Sequence, residues 1–237
     1  MFSLKLQLFQ MQRLIAKTYL IITVFFVALS ACNENKKSAE TADGNKAKDS
    51  TAITKKKTIV FYGNSLTAGY GLSPSQAFPA IIQKKIDSLG LPYQVVNAGV
   101  SGETSSGGKT RIDWILRQPV DVFVLELGAN DGLRGIPLSA TRENLQAIID
   151  RVKAKNPATK LVFAGMQVPP NMGEKYSTEF KNIYTDLAEN NKMTLIPFLL
   201  EGVGGEPSLN QEDGIHPTAS GHMVVANNLW QHLKSLL

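Results

Sequence analysis

Ser65 stands in Gly63-Asn64-Ser65-Leu66, directly after a short apolar run. A serine in a tight strand-to-helix turn has its hydroxyl projected above the sheet edge, and its own N–H lies among the free donors of a helix start. Such a hydroxyl needs a base, and the base needs a partner that holds its tautomer. Asp213-Gly214-Ile215-His216-Pro217 places an acid three residues before a histidine, close enough for one turn to hold both. Pro217 suits the first position of a following helix and would fix the loop. Gly128-Ala129-Asn130-Asp131 follows another apolar run, so Asn130 would raise an amide donor above the same edge. Gly102, within Asn97–Thr104, would offer a backbone N–H at a helix entrance. With the Ser65 N–H these make three donors for an oxyanion, and the chemistry such a set performs is acyl transfer.

Each residue alone has a plainer reading. A lone serine here is a helix N-cap, a lone D-x-x-H is a surface turn, and Asn130 or Gly102 alone is turn chemistry. His222 and His232 lack a nearby acid in this spacing and read as structural. Two motifs are excluded. The serine is not in a G-x-S-x-G elbow, since Thr67 stands where the last glycine belongs. Gly102–Thr110 resembles a phosphate-binding loop, but Gly108 occupies the place that Walker A reserves for lysine.

These residues need a scaffold that brings distant segments to one edge. Thr58–Tyr62, Gln94–Asn97, Asp121–Leu127, Lys160–Gly165 and Thr194–Phe198 read as five short strands, apolar on both faces. Between and after them, helical spacing covers roughly Gln76–Ser88, Thr104–Gln118, Ala140–Ala154, Lys175–Glu189 and Ala219–Leu237. This alternation predicts an α/β fold of three layers, α/β/α, around a five-stranded parallel sheet. In such sheets the functional crevice lies at the carboxyl ends of the strands, where Ser65, Gly102 and Asn130 fall.

The chain has 237 residues, 43% hydrophobic and 19% charged, which is ordinary globular composition. Its net charge of +5 invites a nucleic-acid reading, but the charge is unevenly placed. Residues 1–31 hold Lys5, Arg13 and Lys17 and no acid, and residues 33–57 hold seven lysines against four acids. The remainder carries 15 basic and 16 acidic residues, so no basic stripe is left to hold a phosphate backbone. Residues 1–31 form a basic segment, an apolar run from Leu20 and the ending Leu29-Ser30-Ala31 before Cys32, the only cysteine. The apolar run is too short for a bilayer span of roughly 20 residues. This pattern resembles a bacterial lipoprotein signal, in which Cys32 becomes the lipidated N-terminus; the alternative is an uncleaved anchor helix. Residues 32–57 then read as the lipidated cysteine and a flexible tether, polar and without an aromatic residue. A single cysteine excludes an internal disulfide, and three histidines without a partner thiol argue against a zinc cluster.

The joint order of the motifs is more specific than any one of them. A serine block, a glycine block, an asparagine block and D-x-x-H resemble the SGNH (GDSL) hydrolase family. Gly63–Gly71 (G-N-S-L-T-A-G-Y-G), Glu126–Gly135 (E-L-G-A-N-D-G-L-R-G) and Glu212–Pro217 (E-D-G-I-H-P) look like its subgroup of periplasmic acyl-CoA thioesterases, lysophospholipases and arylesterases. The resemblance covers residues 58–237. It implies a flavodoxin-like SGNH hydrolase domain with Ser65 as nucleophile, His216 as base and Asp213 as its orienter. Ser65, Gly102 and Asn130 would form the oxyanion hole, and a mobile loop at about Gly132–Leu138 would line the acyl site.

The implied activity is hydrolysis of small acyl esters or thioesters through an acyl-serine, with no metal or cofactor. Apolar residues expected near the acyl chain are Leu133, Ile136, Pro169, Pro170, Phe198 and Leu199. A carbohydrate O-acetyl esterase is the alternative within the class. A non-catalytic acyl- or glycan-binding surface lipoprotein is the alternative outside it. One departure bears on the second: the family usually has Asp before the nucleophile, and this chain has Asn64. The expected location is an exported, membrane-anchored lipoprotein facing the periplasm or cell surface. The sequence carries no sign of its oligomeric state.

Overall fold

The computed structural model describes residues 56–237. The expected signal segment (1–31), Cys32 and nearly all of the tether lie outside the described residues. The first strand begins at Lys57, one residue earlier than expected.

Five strands, β1 (Lys57–Gly63), β2 (Tyr93–Gly99), β3 (Val122–Glu126), β4 (Lys160–Ala164) and β5 (Thr194–Ile196), form one sheet in the order β2-β1-β3-β4-β5. Every neighbouring pair is parallel. The α-helices are α1 (Ser65–Ala68), α2 (Phe78–Ser88), α3 (Ser105–Ile115), α4 (Ala129–Leu133), α5 (Leu138–Lys155), α6 (Glu174–Asn191) and α7 (Ala219–Leu233). Helix α2 packs on α7, while α3 packs on α5 and α5 on α6. Parallel strands need crossovers, and their consistent hand lays these helices over both faces of the sheet. The three-layer α/β/α architecture is thus present.

The central strands carry the core. Phe61, Tyr62, Phe123, Leu125 and Phe163 are all buried, from both faces of the sheet. The edge strand β2 departs from the expectation of double burial, because only Tyr93 in it is fully buried. Strand β5 stops at Ile196 rather than Phe198, since Pro197 has no N–H to continue the ladder. The final α-helix ends at Leu233 and tightens into a 3₁₀ turn, Lys234–Leu236.

Register decides what the carboxyl edge can hold. Gly63 is paired with Gly99 on one side and with Glu126 on the other, so β1, β2 and β3 end level. The chain leaves β1 between these neighbours, at the point where the strand order reverses. The serine, glycine and asparagine blocks therefore leave the sheet side by side.

Candidate active site

The serine block turns sharply into α1, whose four residues begin with Ser65 itself. Asn64, not Ser65, caps this helix: its Oδ1 accepts the Leu66 N–H at 2.9 Å. Ser65 is thereby released from the capping role, and its N–H, at the first helical position, has no intrahelical acceptor. Its Oγ lies 2.9 Å from Nε2 of His216 and 3.4 Å from Oδ1 of Asn64.

The histidine comes from the loop before α7. An antiparallel bridge of Asn210 with Pro217 closes this loop, and the Gln211 N–H donates to the His216 carbonyl at 2.7 Å. Pro217 belongs to this bridge and not to the first turn of α7. Thr218 takes the N-cap, with its hydroxyl accepting the Gly221 N–H. Inside the loop Asp213 Oδ1 accepts the N–H groups of Ile215 and His216, both at 3.0 Å. Its Oδ2 lies 2.6 Å from Nδ1 of His216. Desolvation raises the Asp213 carboxyl, but hydrogen bonds from the His216 ring and the two backbone N–H groups outweigh it and hold Asp213 at about 2. The acid is ionised at neutral pH and accepts from Nδ1, leaving Nε2 to face Ser65. Tyr70 packs its ring against His216, with centroids 4.6 Å apart.

Asn130 sits in the short helix α4, and its Nδ2 donates to the Glu103 carbonyl at 2.9 Å. An amide nitrogen carries two hydrogens, so one donor is used to orient the side chain and one is left. Gly102 lies in a turn before the Thr104 cap of α3 rather than at the helix entrance itself. Its φ of 78° is a left-handed conformation suited to glycine. An ion pair of Arg111 with Glu103, at 2.5 Å, and a bond from Arg111 to the Ala98 carbonyl brace this block.

Ser65, Gly102, Asn130 and His216 line one cavity of about 600 Å³, with Asp213 behind the imidazole. Its walls are mainly apolar, with Met166, Val168 and Phe198 among them. Of the apolar residues expected there, Leu133, Pro169 and Phe198 line it. Leu199 does not: it is fully buried in the core, while its neighbours Phe198 and Leu200 line the cavity. The segment that resembles a phosphate loop has another use. Asp131 occupies the start of α3, accepting the Ser105 N–H at 2.8 Å and the Ser105 hydroxyl at 2.5 Å. An acid therefore sits where a phosphate would bind. His222 is buried, and its Nδ1 accepts the Phe78 N–H at 3.1 Å, as suits a structural residue.

Two further residues hold the site together. Gln211 donates from Nε2 to the carbonyls of Tyr70 and Pro217, tying the serine and histidine blocks together. Glu126 lies beneath the serine turn and is 1% exposed. In the sequence it opens the block Glu126–Gly135 and stands out as a carboxylate near the end of the apolar run Asp121–Leu127.

The chain is similar to known proteins in both sequence and structure. The model of the GDSL-like Lipase/Acylhydrolase family matches residues 61–224. The chain is 39% identical to esterase TesA of Pseudomonas aeruginosa over 182 residues, covering 76% of this chain and 90% of that one. It is 38% identical to thioesterase 1/protease 1/lysophospholipase L1 of Escherichia coli over 181 residues, covering 76% and 85%. It is 34% identical to an arylesterase of Vibrio mimicus over 185 residues, covering 78% and 92%. Among solved structures, that of TesA superposes with a TM-score of 0.74 at 39% identity, covering 76% of this chain and 100% of that one. The psychrotrophic esterase EstA from Pseudoalteromonas sp., inhibited by monoethylphosphonate, gives 0.72 at 31% identity, covering 76% and 98%.

Proposed function

We propose, from the premise that the chain belongs to the GDSL-like lipase/acylhydrolase family and is a serine hydrolase of ester and thioester bonds, that Ser65, His216 and Asp213 are its catalytic triad. The observation that carries this reading is the continuous run from Ser65 Oγ to His216 Nε2, 2.9 Å, and from His216 Nδ1 to Asp213 Oδ2, 2.6 Å, opening on an apolar cavity.

In this mechanism His216 Nε2 takes the proton of Ser65 Oγ as that oxygen attacks the acyl carbonyl. Negative charge moves to the carbonyl oxygen. The N–H groups of Ser65 and Gly102 and the remaining Asn130 donor stabilise it. The tetrahedral species collapses, the C–O or C–S bond to the leaving group breaks, and His216 returns the proton to that group. Water then repeats the sequence against acyl-Ser65 and regenerates the hydroxyl. Asp213 stays ionised and stabilises the imidazolium in each half-reaction.

The substrates of this reading are acyl esters and thioesters with an apolar acyl chain, of the arylester, lysophospholipid or acyl-thioester type. Each methylene buried in the cavity contributes up to about 0.8 kcal/mol. The activity of the 58–237 hydrolase domain should therefore rise from p-nitrophenyl acetate to medium-chain esters. A steep preference for acetyl, with nothing beyond butyryl, points instead to carbohydrate O-acetyl esterase activity. Residues 1–31 act as a lipoprotein signal, Cys32 carries the lipid, and the rest of 32–57 tethers the enzyme to a membrane facing the periplasm or cell surface. Support for this is the small-residue ending before a lone cysteine. Two or more acyl chains suffice for stable attachment, so palmitate labelling should vanish in Cys32→Ala, and undiminished labelling would refute the anchor.

A further inference from the structure

We propose that Glu126 is a positioning residue of the nucleophile turn, and that it acts through Asn64, whose amide links the buried carboxylate to the cap of α1 and to Ser65. The inference rests on the reading of Ser65 as nucleophile.

Glu126 is the last residue of β3, level with Gly63 of β1. Its Oε1 accepts from Asn64 Nδ2 at 2.7 Å. Its Oε2 accepts from the Asn64 N–H at 3.1 Å and from the Thr67 hydroxyl at 2.7 Å. One carboxylate thus holds the residue before Ser65 at two atoms and the residue two after it at a third. Gly63 makes the space, since a Cβ there would collide with Thr67 Oγ1 and Glu126 Oε2. The other end of the Asn64 side chain, Oδ1, accepts the Leu66 N–H and lies 3.4 Å from Ser65 Oγ. The amide therefore works in both directions, donating downward to Glu126 and accepting upward from the turn.

The surroundings of Glu126 leave this amide with a specific task. Burial pushes the Glu126 carboxyl up to about 7, against the bonds from Thr67 and Asn64. Tyr184 of α6 is in electrostatic reach, but its hydroxyl donates to the Leu127 carbonyl and burial keeps it protonated. From α1 the facing group is Thr67, which does not titrate. The Glu126 charge is met by hydrogen bonds alone, and Asn64 supplies two of them.

An acid at position 64 would oppose two carboxyl groups at hydrogen-bond distance. Two such groups share one proton and lose it together as a coupled pair. Once that proton is gone, like charges repel, and a shift of residue 64 away from Glu126 is passed through its Oδ1 to the Leu66 N–H and the turn that holds Ser65. With Asn64 the link holds one titratable group, Glu126, and its ionised form still accepts both Asn64 donors, so no like charges are opposed. The structure therefore assigns to Asn64 a site geometry that persists at alkaline pH.

The test is the pH profile of kcat/KM on p-nitrophenyl butyrate from pH 6 to 10 for the wild type, Asn64→Asp, Glu126→Gln and the double variant. At pH 7 Asn64→Asp should stay within about tenfold of wild type, and above it should acquire a descending limb of at least tenfold that the wild type lacks. Glu126→Gln alone opposes a donor to a donor and should lose at least tenfold at all pH values. The double variant reverses the direction of the bond, with the amide introduced at position 126 donating to the carboxylate introduced at position 64. It should recover most of the activity and lose the alkaline limb, a coupling that two independent structural defects would not produce. An Asn64→Asp profile that superimposes on wild type, or a double variant no better than the worse single one, would overturn the proposal. Phosphonate labelling separates the two levels of inference. If Ser65 is not the nucleophile, the label falls elsewhere in every variant that retains activity. If only the Glu126 proposal fails, Ser65 is labelled while the profiles contradict it.

Discussion

Ser65 and His216 meet at 2.9 Å from loops built in different ways. The serine turn is buried, and its bonds to Glu126 bridge about 60 residues of sequence into the centre of the sheet. The histidine loop is exposed, and the bonds that shape it join Asp213 to residues two and three positions away. The bridge of Asn210 with Pro217 closes its two ends, and Gln211 ties it to Tyr70 of the serine block. The proposed nucleophile is fixed by the fold, whereas the proposed base is fixed by its own short segment. The difference places precision where an oxygen must attack within a few tenths of an ångström, and places solvent access where a proton must come and go.

The comparison predicts that the two halves fail alike in catalysis, however differently they are held. Ser65→Ala and His216→Ala should each lower kcat by on the order of 10⁴-fold or more, and the double variant should lose little beyond either single one. Additive losses, measured by steady-state kinetics on a p-nitrophenyl ester, would mean that the two residues do not act as one unit.

A smaller effect is expected from Asn130, the proposed oxyanion donor that lines the same cavity. Asn130→Ala should cost roughly 10²–10³ in kcat with a lesser change in KM, because its bond strengthens only as the oxyanion forms. A main effect on KM would reduce Asn130 to positioning the substrate.

The smallest effect concerns stability and rests on His222, which is fully buried where His216 is only partly so. Burial pushes His222 down to about 4. The stability that depends on its being neutral is complete above its ordinary value of about 6.5 and is lost as pH falls toward 4. Glu126, pushed up to about 7, acts with the opposite sign: its contribution is present below its ordinary range and is lost as pH rises through 7. The two oppose each other between pH 4.5 and 6.5. His222→Gln, which retains an acceptor for the Phe78 N–H, should gain stability relative to wild type on acidification from pH 7 to 4, by on the order of 3 kcal/mol. Urea unfolding at both pH values checks this, and a difference that does not change with pH would contradict it.

The same contrast explains what was legible in the sequence. Asp213 and His216 are readable because the bonds that join them are local, so spacing alone carries the geometry. Ser65, Gly102 and Asn130 are readable because each follows a strand in a block of small and polar residues, and because parallel strands end at one edge. The long helices and central strands announce themselves by period. Helices α1 and α4 do not, since four or five residues are too few to display a helical repeat, and both lie at the site. The bond of Glu126 to Asn64 was not legible either. It depends on the register of β1 against β3, which no local pattern states. The same gap separates Phe198, which faces the cavity, from Leu199, which was expected there and lies in the core.

The central claim is that Ser65 carries the acyl group. Incubating the 58–237 hydrolase domain with an alkyl fluorophosphonate and locating the adduct by peptide mass spectrometry tests it directly. The account predicts one adduct per molecule on Ser65, formed as activity is lost and absent in both Ser65→Ala and His216→Ala. An inactivated protein whose adduct lies on another residue, or one that labels equally well in Ser65→Ala, would contradict it.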